Sequence, residues 1–136
     1  MPGASFIELE VEPGQAMDSL SVVQLDPDNG VAMSVLPLSG TAPPDGLVVI
    51  GDGTLPFVDI DDTTGVALFT PGDGFVIALL DGVATMDAIQ VGGLGDYGEG
   101  NSLANGTQEC FERFGGIDTD DNLFDFLAAW EPTPGA

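Results

Sequence analysis

The sequence predicts an all-β fold, either a sandwich or a barrel of short strands. Short apolar runs, several of which alternate with polar residues, are separated by turn signals at intervals of about 8–12 residues. The turn signals come from 20 Gly and 10 Pro residues. At 136 residues the chain is expected to form one domain, spanning 1–136, whose core needs neither disulfides nor metals for stability.

Four strands are predicted in the first half of the chain. Apolar and acidic residues alternate over residues 6–12, which predicts a strand with one buried face and one solvated face. Residues 20–25 and 31–36 predict a hairpin, because the Asn-Gly pair in the turn 26–30 tolerates positive φ. The uninterrupted apolar run 47–50 predicts a central strand that is covered on both faces.

The second half of the chain predicts more strands and one long loop. Strands are expected at residues 57–60, 66–69, 75–80 and 84–91. The Gly-rich segment 92–100 predicts a flexible loop or crossover, and the lack of Lys argues against a phosphate-binding loop. Residues 123–130 fit a last strand or one turn of helix, and Phe124 and Phe126 alternate around Asp125 as they would in a half-buried strand. Period-two alternation predicts a core of Phe6, Leu9, Val22, Leu25, Val48, Ile50, Phe75, Ile77, Leu79, Ile89 and Phe126.

Acidic residues dominate the charge of the chain. There are 23 Asp and Glu residues against one basic residue, Arg113, and no His, so the net charge is −22 at pH 7. This charge repels phosphate backbones and anionic membranes, and it therefore excludes nucleic acid and anionic membranes as partners. Self-repulsion also lowers the stability of the folded chain. High salt, divalent cations or low pH would each relieve the repulsion, and the sequence leaves all three open.

The side chains on which most catalysis depends are missing. Without His or Lys the chain has no histidine base, no Schiff-base nucleophile and no second cation for an oxyanion. Paired carboxylates can hydrolyse glycosides, but neighbouring pairs are expected by chance among 23 acidic residues. The sequence therefore predicts a protein that is not an enzyme. Its single Cys excludes an internal disulfide.

An acidic turn near the end of the chain has the spacing of a calcium loop. Calcium binds six to eight oxygens, and carboxylates at alternate positions of a turn face one point. Asp118, Asp120 and Asn122 have this spacing and are the candidate calcium ligands. In the alternative, the turn is held by hydrogen bonds from backbone amides to these side chains. In either case Arg113 is expected to form an ion pair near this turn.

The ends and the middle of the chain resemble the lamin tail domains of bacteria. The terminal motif is made up of Arg113, residues 118–122, the Asp125-Phe126 pair and the Pro-Thr-Pro-Gly of residues 132–135. Residues 6–9 resemble the opening strand of that family. The central hairpin of the family resembles residues 71–74, 78–82 and 86–89 of this chain. The resemblance implies an immunoglobulin-like β-sandwich of two antiparallel sheets with about seven to ten short strands. It is also the main reason to prefer a strand over a helical turn at residues 123–130. It also implies a binding or display module of a larger surface or secreted protein, and no catalytic residues.

The leading hypothesis is therefore a non-catalytic module for binding, display or assembly, with a protein partner or a second copy as its target. One alternative is a calcium-dependent module for carbohydrate or small ligands, and another is an acidic structural subunit of a virion or surface layer. Calcium is the one cofactor considered. A module of a longer chain would be extracellular or on the cell surface. The N-terminus lacks the features of a signal peptide, which leaves a cytoplasmic or virion location open.

We expect the melting temperature to rise with salt up to about 2 M NaCl, and with millimolar calcium or magnesium. Screening shortens the reach of the carboxylate charges from about 10 Å at 0.1 M salt to about 3 Å at 1 M. Differential scanning fluorimetry over a salt series measures this effect. A flat or falling melting temperature would show that the carboxylates are spaced too widely to repel, and adaptation to high salt would no longer explain the acidic composition.

Overall fold

Nine strands and one helical turn form the part of the chain that the computed structural model describes, residues 6–51, 58–61, 74–103, 110–113 and 118–129. In chain order the elements are β1 (Phe6–Glu10), β2 (Leu20–Leu25), β3 (Ala32–Pro37), β4 (Leu47–Gly51), β5 (Ile60–Asp61), β6 (Gly74–Asp81), β7 (Ala84–Gly92), β8 (Cys110–Arg113), α1 (Asn122–Asp125) and β9 (Phe126–Ala129). The predicted all-β class is therefore confirmed. No helix in these ranges has the length and the apolar composition to span a bilayer.

The described strands form two larger sheets and one sheet of two short strands. The four-stranded sheet has the order β3-β2-β6-β7, and all of its neighbours are antiparallel. The three-stranded sheet has the order β1-β4-β5, in which β1 and β4 are antiparallel and the two residues of β5 run parallel to β4. Strands β8 and β9 pair with each other. The predicted hairpin over residues 20–36 is confirmed as β2 and β3.

The core lies between the two larger sheets. Leu20, Val22 and Ile77 contribute from the four-stranded sheet, and Val48 and Ile50 contribute from β4 in the other sheet. Strand β4 lies in the middle of its sheet, and its residues 48–51 are buried whichever face they lie on. The prediction of a central strand over residues 47–50 is therefore confirmed, because a strand covered on both faces has no position for a polar residue.

Most of the predicted core residues belong to this cluster. Val22, Val48, Ile50 and Ile77 are buried in it, and Leu9, Phe75, Leu79 and Ile89 are partly buried against it. The prediction is wrong for three residues that lie outside the cluster, namely Phe6, Leu25 and Phe126. Side chains alternate between the faces of a strand, and Phe6 and Leu25 are out of phase with the neighbours that face the core. Phe126 belongs to the β8–β9 pair and not to either larger sheet.

Of two further predicted strands, one is described in part and the other lies outside the described residues. Of the predicted strand 57–60, the structure describes residues 58–60, and the strand it shows there is β5, Ile60–Asp61. The predicted strand 66–69 lies outside the described residues, and so does the Pro-Thr-Pro-Gly segment 132–135.

The preference for a strand over residues 123–130 is wrong at its start. Residues 122–125 form the helical turn α1, and the strand β9 begins only at Phe126. Phe124 is 71% exposed and does not alternate with Phe126 into a sheet. The reason is that the buried polar side chains of Asn122 and Asp125, at the two ends of the turn, bind backbone groups elsewhere.

The Gly-rich segment after β7 is organised by one buried side chain. The carboxamide of Gln90 is fully buried, and its Nε2 donates to the carbonyl oxygens of Gly92 at 3.0 Å and Gly95 at 2.9 Å. Its Oε1 accepts from the backbone amides of Tyr97 at 2.8 Å and Gly98 at 3.0 Å. Of the predicted loop 92–100, Gly92 ends β7 and residues 93–100 form a loop that is folded around the side chain of Gln90.

Close packing explains a glycine in this loop. A Cβ atom at Gly98 would lie 2.6 Å from Oδ1 of Asn122 and 2.7 Å from Cβ of Gln90. No side chain fits at these distances, so Gly98 allows the loop to approach β7 and α1 at once. The glycine at position 98 therefore reflects close packing of the loop against β7 and α1.

Replacing Gln90 with Leu should remove the hydrogen bonds that order this loop. The substitution keeps the volume but leaves two carbonyls and two amides without their partner, and each unsatisfied buried group costs about 1–3 kcal/mol. We expect urea denaturation to show a loss of at least about 2 kcal/mol, and the amides of Tyr97 and Gly98 to exchange faster. Gln15→Leu, at an exposed position, is the control. Unchanged exchange in Gln90→Leu would contradict the organising role of this side chain.

Candidate functional site

The acidic turn is closed by Asp125, the last residue of α1. Its buried carboxylate accepts hydrogen bonds from the amide and the hydroxyl of Thr119, at 2.8 and 2.7 Å, and from the amide of Asp121 at 3.4 Å. Burial acts to raise the pKa of Asp125, but these hydrogen bonds and the charge of Arg113 outweigh it and lower the pKa. The carboxylate is therefore held ionised as a structural acceptor. The expected side-chain-to-backbone bonds also include one from the amide of Asp120 to Asp118 Oδ1, at 3.1 Å.

Asn122 closes the outer edge of β7. Its Nδ2 donates to the carbonyl of Ala88 at 2.8 Å, and its Oδ1 accepts from the amides of Gln90 at 3.0 Å and Glu99 at 3.2 Å. Leu103 continues along the same edge, donating to the carbonyl of Gln90 and accepting from the amide of Gly92. The edge of the sheet at β7 is thus covered from residue 88 to residue 92, and its polar groups are satisfied.

Arg113 joins the β8–β9 pair to β7. Its guanidinium makes two hydrogen bonds to the carboxylate of Asp87, at 2.7 and 2.8 Å, and lies 3.7 Å from a carboxylate oxygen of Asp118. The guanidinium also lies over the ring of Phe126, 4.8 Å from its centre. Hydrogen bonding to Asp87 raises the pKa of Arg113. The expected ion pair near the acidic turn is confirmed, but its main partner is Asp87, which the sequence did not identify.

Three carboxylates share this one cation. Oxygens of Asp87, Glu99 and Asp118 all lie within 4.8 Å of one another, and we refer to these three residues as the acidic cluster. Oε2 of Glu99 is buried and has no hydrogen-bond partner among the described residues. Burial and the charges of Asp87, Asp118 and Asp120 raise the pKa of Glu99 to about 7, although Arg113 opposes the shift. The Glu99 carboxyl therefore has a pKa close to neutral pH.

The three candidate calcium ligands have different partners in the structure. Asp118 lies in the acidic cluster, whereas both polar atoms of the Asn122 side chain bind backbone groups along β7 and the loop. Asp120 has a left-handed backbone, with φ at 58°, at the tip of the turn. Calcium at Asp118, Asp120 and Asn122 stays a prediction. The oxygens that the fold does bring together come from residues 87, 99 and 118, and no spacing pattern in the sequence connects these positions.

The opposite edge of the four-stranded sheet differs from the β7 edge. Among the described residues β3 pairs with β2 alone. Val31, Met33 and Val35 are 61%, 55% and 53% exposed. We refer to these three side chains and the backbone of β3 as the β3 edge surface.

Two features limit how many residues of another strand can pair with the outer side of β3. The register with β2 shifts between Gln24 and Leu25, so that Met33 has no partner residue and forms a bulge. Pro37 ends the strand and has no amide to donate. Regular pairing on the outer side of β3 is therefore restricted to a few residues.

Comparison with known proteins identifies no relative. No family model, curated protein or solved structure matches the chain. The resemblance to lamin tail domains stays a prediction.

Replacing Asn122 with Asp should destabilise the domain. The substitution puts a carboxylate oxygen against the carbonyl of Ala88 in place of an N–H donor, so that a buried bond becomes a repulsion. We expect a loss of about 2–4 kcal/mol in urea denaturation. Asn29→Asp is a control with the same change of charge, because it keeps the oxygen that accepts from the amide of Val31 on an exposed turn. Equal effects of the two substitutions would show that net charge, and not the closure of the β7 edge, is responsible.

The acidic cluster should make stability fall as the pH rises from 4.5 to about 7. Folded Glu99 holds its proton up to a pKa of about 7, whereas an unperturbed Glu releases it near 4.5. In this window the folded state binds more protons, so the free energy of unfolding decreases as the pH increases. Glu99→Gln cannot ionise and should lose this part of the slope. Denaturation of both proteins at pH 4.5, 6 and 8 measures the difference, and the exposed Glu12→Gln variant is the control. Parallel curves for all three proteins would contradict the assignment.

Proposed function

We propose that this protein is a non-catalytic module for binding or assembly, and that it recognises an extended segment of a partner through the β3 edge surface. The observation that carries the proposal is the difference between the two edges of one sheet. We further propose that the fold is an immunoglobulin-like β-sandwich of the lamin-tail type, working within a larger surface, secreted or structural assembly. The two packed sheets and the residues that resemble that family support this assignment.

The β7 edge is closed by groups of the chain itself. An uncovered edge presents unpaired amides and carbonyls to any other strand. At β7 a buried side chain, Asn122, and the backbone of Leu103 take up these groups. Burying an amide side chain for this purpose has a cost in desolvation that hydrogen bonding must offset. The fold thus closes the β7 edge although the burial of Asn122 has a desolvation cost.

The β3 edge surface has the features that strand addition uses. In this mode of recognition, main-chain hydrogen bonds contribute affinity and alternate side chains contribute specificity. Val31, Met33 and Val35 are apolar and are each more than half exposed. Full burial of a Val or Met side chain is worth about 1.5–3 kcal/mol, so covering this surface favours binding.

The calcium-dependent alternative is less well supported by the geometry. The acidic cluster contains the guanidinium of Arg113, bonded to Asp87 and close to Asp118. A cation is thus already present where the carboxylates converge. Asn122, a candidate ligand, uses its side-chain oxygen for two amides.

A selection of random extended peptides tests the proposal. We expect selected peptides to protect the amides of residues 32–36 from hydrogen exchange. Val35→Lys should weaken their binding by about tenfold or more, equal to about 1.4 kcal/mol. Val83→Lys introduces the same charge on the fully exposed β6–β7 turn and should leave binding unchanged. Peptides that protect only the loop 92–101 or the acidic cluster, or that ignore Val35→Lys, would overturn the proposal.

A further inference from the structure

We infer that the partner segment of the β3 edge surface is a cationic strand, with apolar side chains at alternate positions in its centre and Lys or Arg at both ends. This inference rests on the proposed function and names the chemistry of the partner. It follows from the arrangement of charge around β3, from the way the nearby carboxylates are held, and from the features that disfavour a second copy of the chain.

Charge is absent from β3 but present at both of its ends. The strand reads Ala-Met-Ser-Val-Leu-Pro over residues 32–37. Asp26 and Asp28 lie in the turn that precedes it, and Asp18 is hydrogen-bonded to Gly40 shortly after its end. A six-residue strand is about 20 Å long, so its centre is about one Debye length at 0.1 M salt from either end. A bound segment would therefore meet an apolar centre and two negative ends.

The carboxylates at the ends of β3 are held in place before any partner binds. Oδ1 of Asp18 accepts from the amide of Gly40 at 3.2 Å. Oδ1 of Asp28 accepts from the amide of Leu94 at 2.8 Å, and Oδ1 of Asp26 accepts from the amide of Asp28 at 2.8 Å. Each of these bonds uses one oxygen, and a carboxylate can accept several donors. Fixed carboxylates lose little conformational entropy when a cation binds.

No cation within the chain competes for this role. Arg113 is the single basic residue of the sequence, and it is bonded to Asp87 and close to Asp118. A partner with positive charge would also be attracted by the net charge of −22, which accelerates association at low salt. The positive charge that complements this surface must therefore come from a partner.

A second copy of the chain is the less favoured occupant. Pairing two β3 strands would bring together two molecules that each carry a charge of −22. The bulge at Met33 and the proline at position 37 also oppose continuous pairing between identical edges. These features permit one short partner strand and disfavour growth of a sheet from copy to copy.

Three synthetic peptides with one common centre test the inference. Each carries the centre Val-Thr-Val-Thr-Val, flanked on both sides by two Lys, two Ser or two Glu residues. Binding is measured by fluorescence anisotropy at about 0.1 M and about 1 M NaCl, where screening changes from about 10 Å to about 3 Å. At the lower salt we expect the Lys-flanked peptide to bind about tenfold or more tightly than the Ser-flanked one. At the higher salt this difference should largely disappear.

Variants of the protein separate charge from shape. Asp18→Asn and Asp28→Asn keep an oxygen for the amides of Gly40 and Leu94 but remove the charge. Each substitution should lower the affinity for the Lys-flanked peptide a fewfold and leave the affinity for the Ser-flanked peptide unchanged. Asp45→Asn is the matched control, because Asp45 accepts from the amide of Leu47 in a turn before β4, in the other sheet. It should affect neither peptide.

The outcomes distinguish the inference from the proposed function. If the Ser-flanked peptide binds as tightly as the Lys-flanked one, and Val35→Lys weakens both, strand addition stands and the cationic partner is wrong. If sedimentation shows a dimer that Val35→Lys abolishes, the occupant is a second copy and the inference is again overturned. If no peptide binds and the protein stays monomeric, the inference and the proposed function both fail.

Discussion

The buried side-chain amide of Asn122 is the contact on which the arrangement of the C-terminal segment depends. It bonds Ala88 and Gln90 on β7 and Glu99 in the loop. One side chain thereby satisfies the edge of a sheet, anchors the loop that Gln90 organises, and sets α1 against both. An unsatisfied buried amide costs as much as a lost hydrogen bond, so loss of Asn122 would destabilise all three parts of the structure. The exposed Phe124 in α1 is a consequence, because closing the edge takes precedence over burying an aromatic ring.

The excess of acid is used as a supply of hydrogen-bond acceptors. Carboxylates of Asp26, Asp45, Asp59 and Asp125 accept backbone amides in turns and at strand ends. In this role a negative charge contributes to folding, because an ionised acceptor makes a stronger bond than a neutral one. Repulsion is concentrated instead in the acidic cluster, where one guanidinium serves several carboxylates. There Glu99 keeps a proton up to near-neutral pH, which limits the charge that must be compensated.

The two edges of the four-stranded sheet show how the same fold can prevent one contact and permit another. The β7 edge is satisfied from within the chain, and the β3 edge surface is apolar, short and bordered by carboxylates. Charge, the bulge at Met33 and Pro37 oppose association between copies. A partner that supplies positive charge would avoid the repulsion, and a short strand needs only the few residues of β3 that can still pair. Selectivity at such a surface comes from repulsion of the wrong partners as much as from attraction of the right one.

The sequence by itself determined the features that depend on neighbours along the chain. The all-β class, the hairpin of β2 and β3 and the central strand β4 follow from alternation, from an Asn-Gly turn and from an uninterrupted apolar run. Only the tertiary structure decided the contacts between distant residues. Arg113 and Asp87 are 26 positions apart and Asn122 and Gln90 are 32 positions apart, and no periodic pattern relates them. With 23 acidic residues available to one arginine, composition predicts an ion pair but cannot select Asp87. In the sequence, Asn122 fits either a metal-binding turn or a side chain that closes the edge of a sheet. Only the position of β7 beside it shows that its side chain bonds the edge of β7.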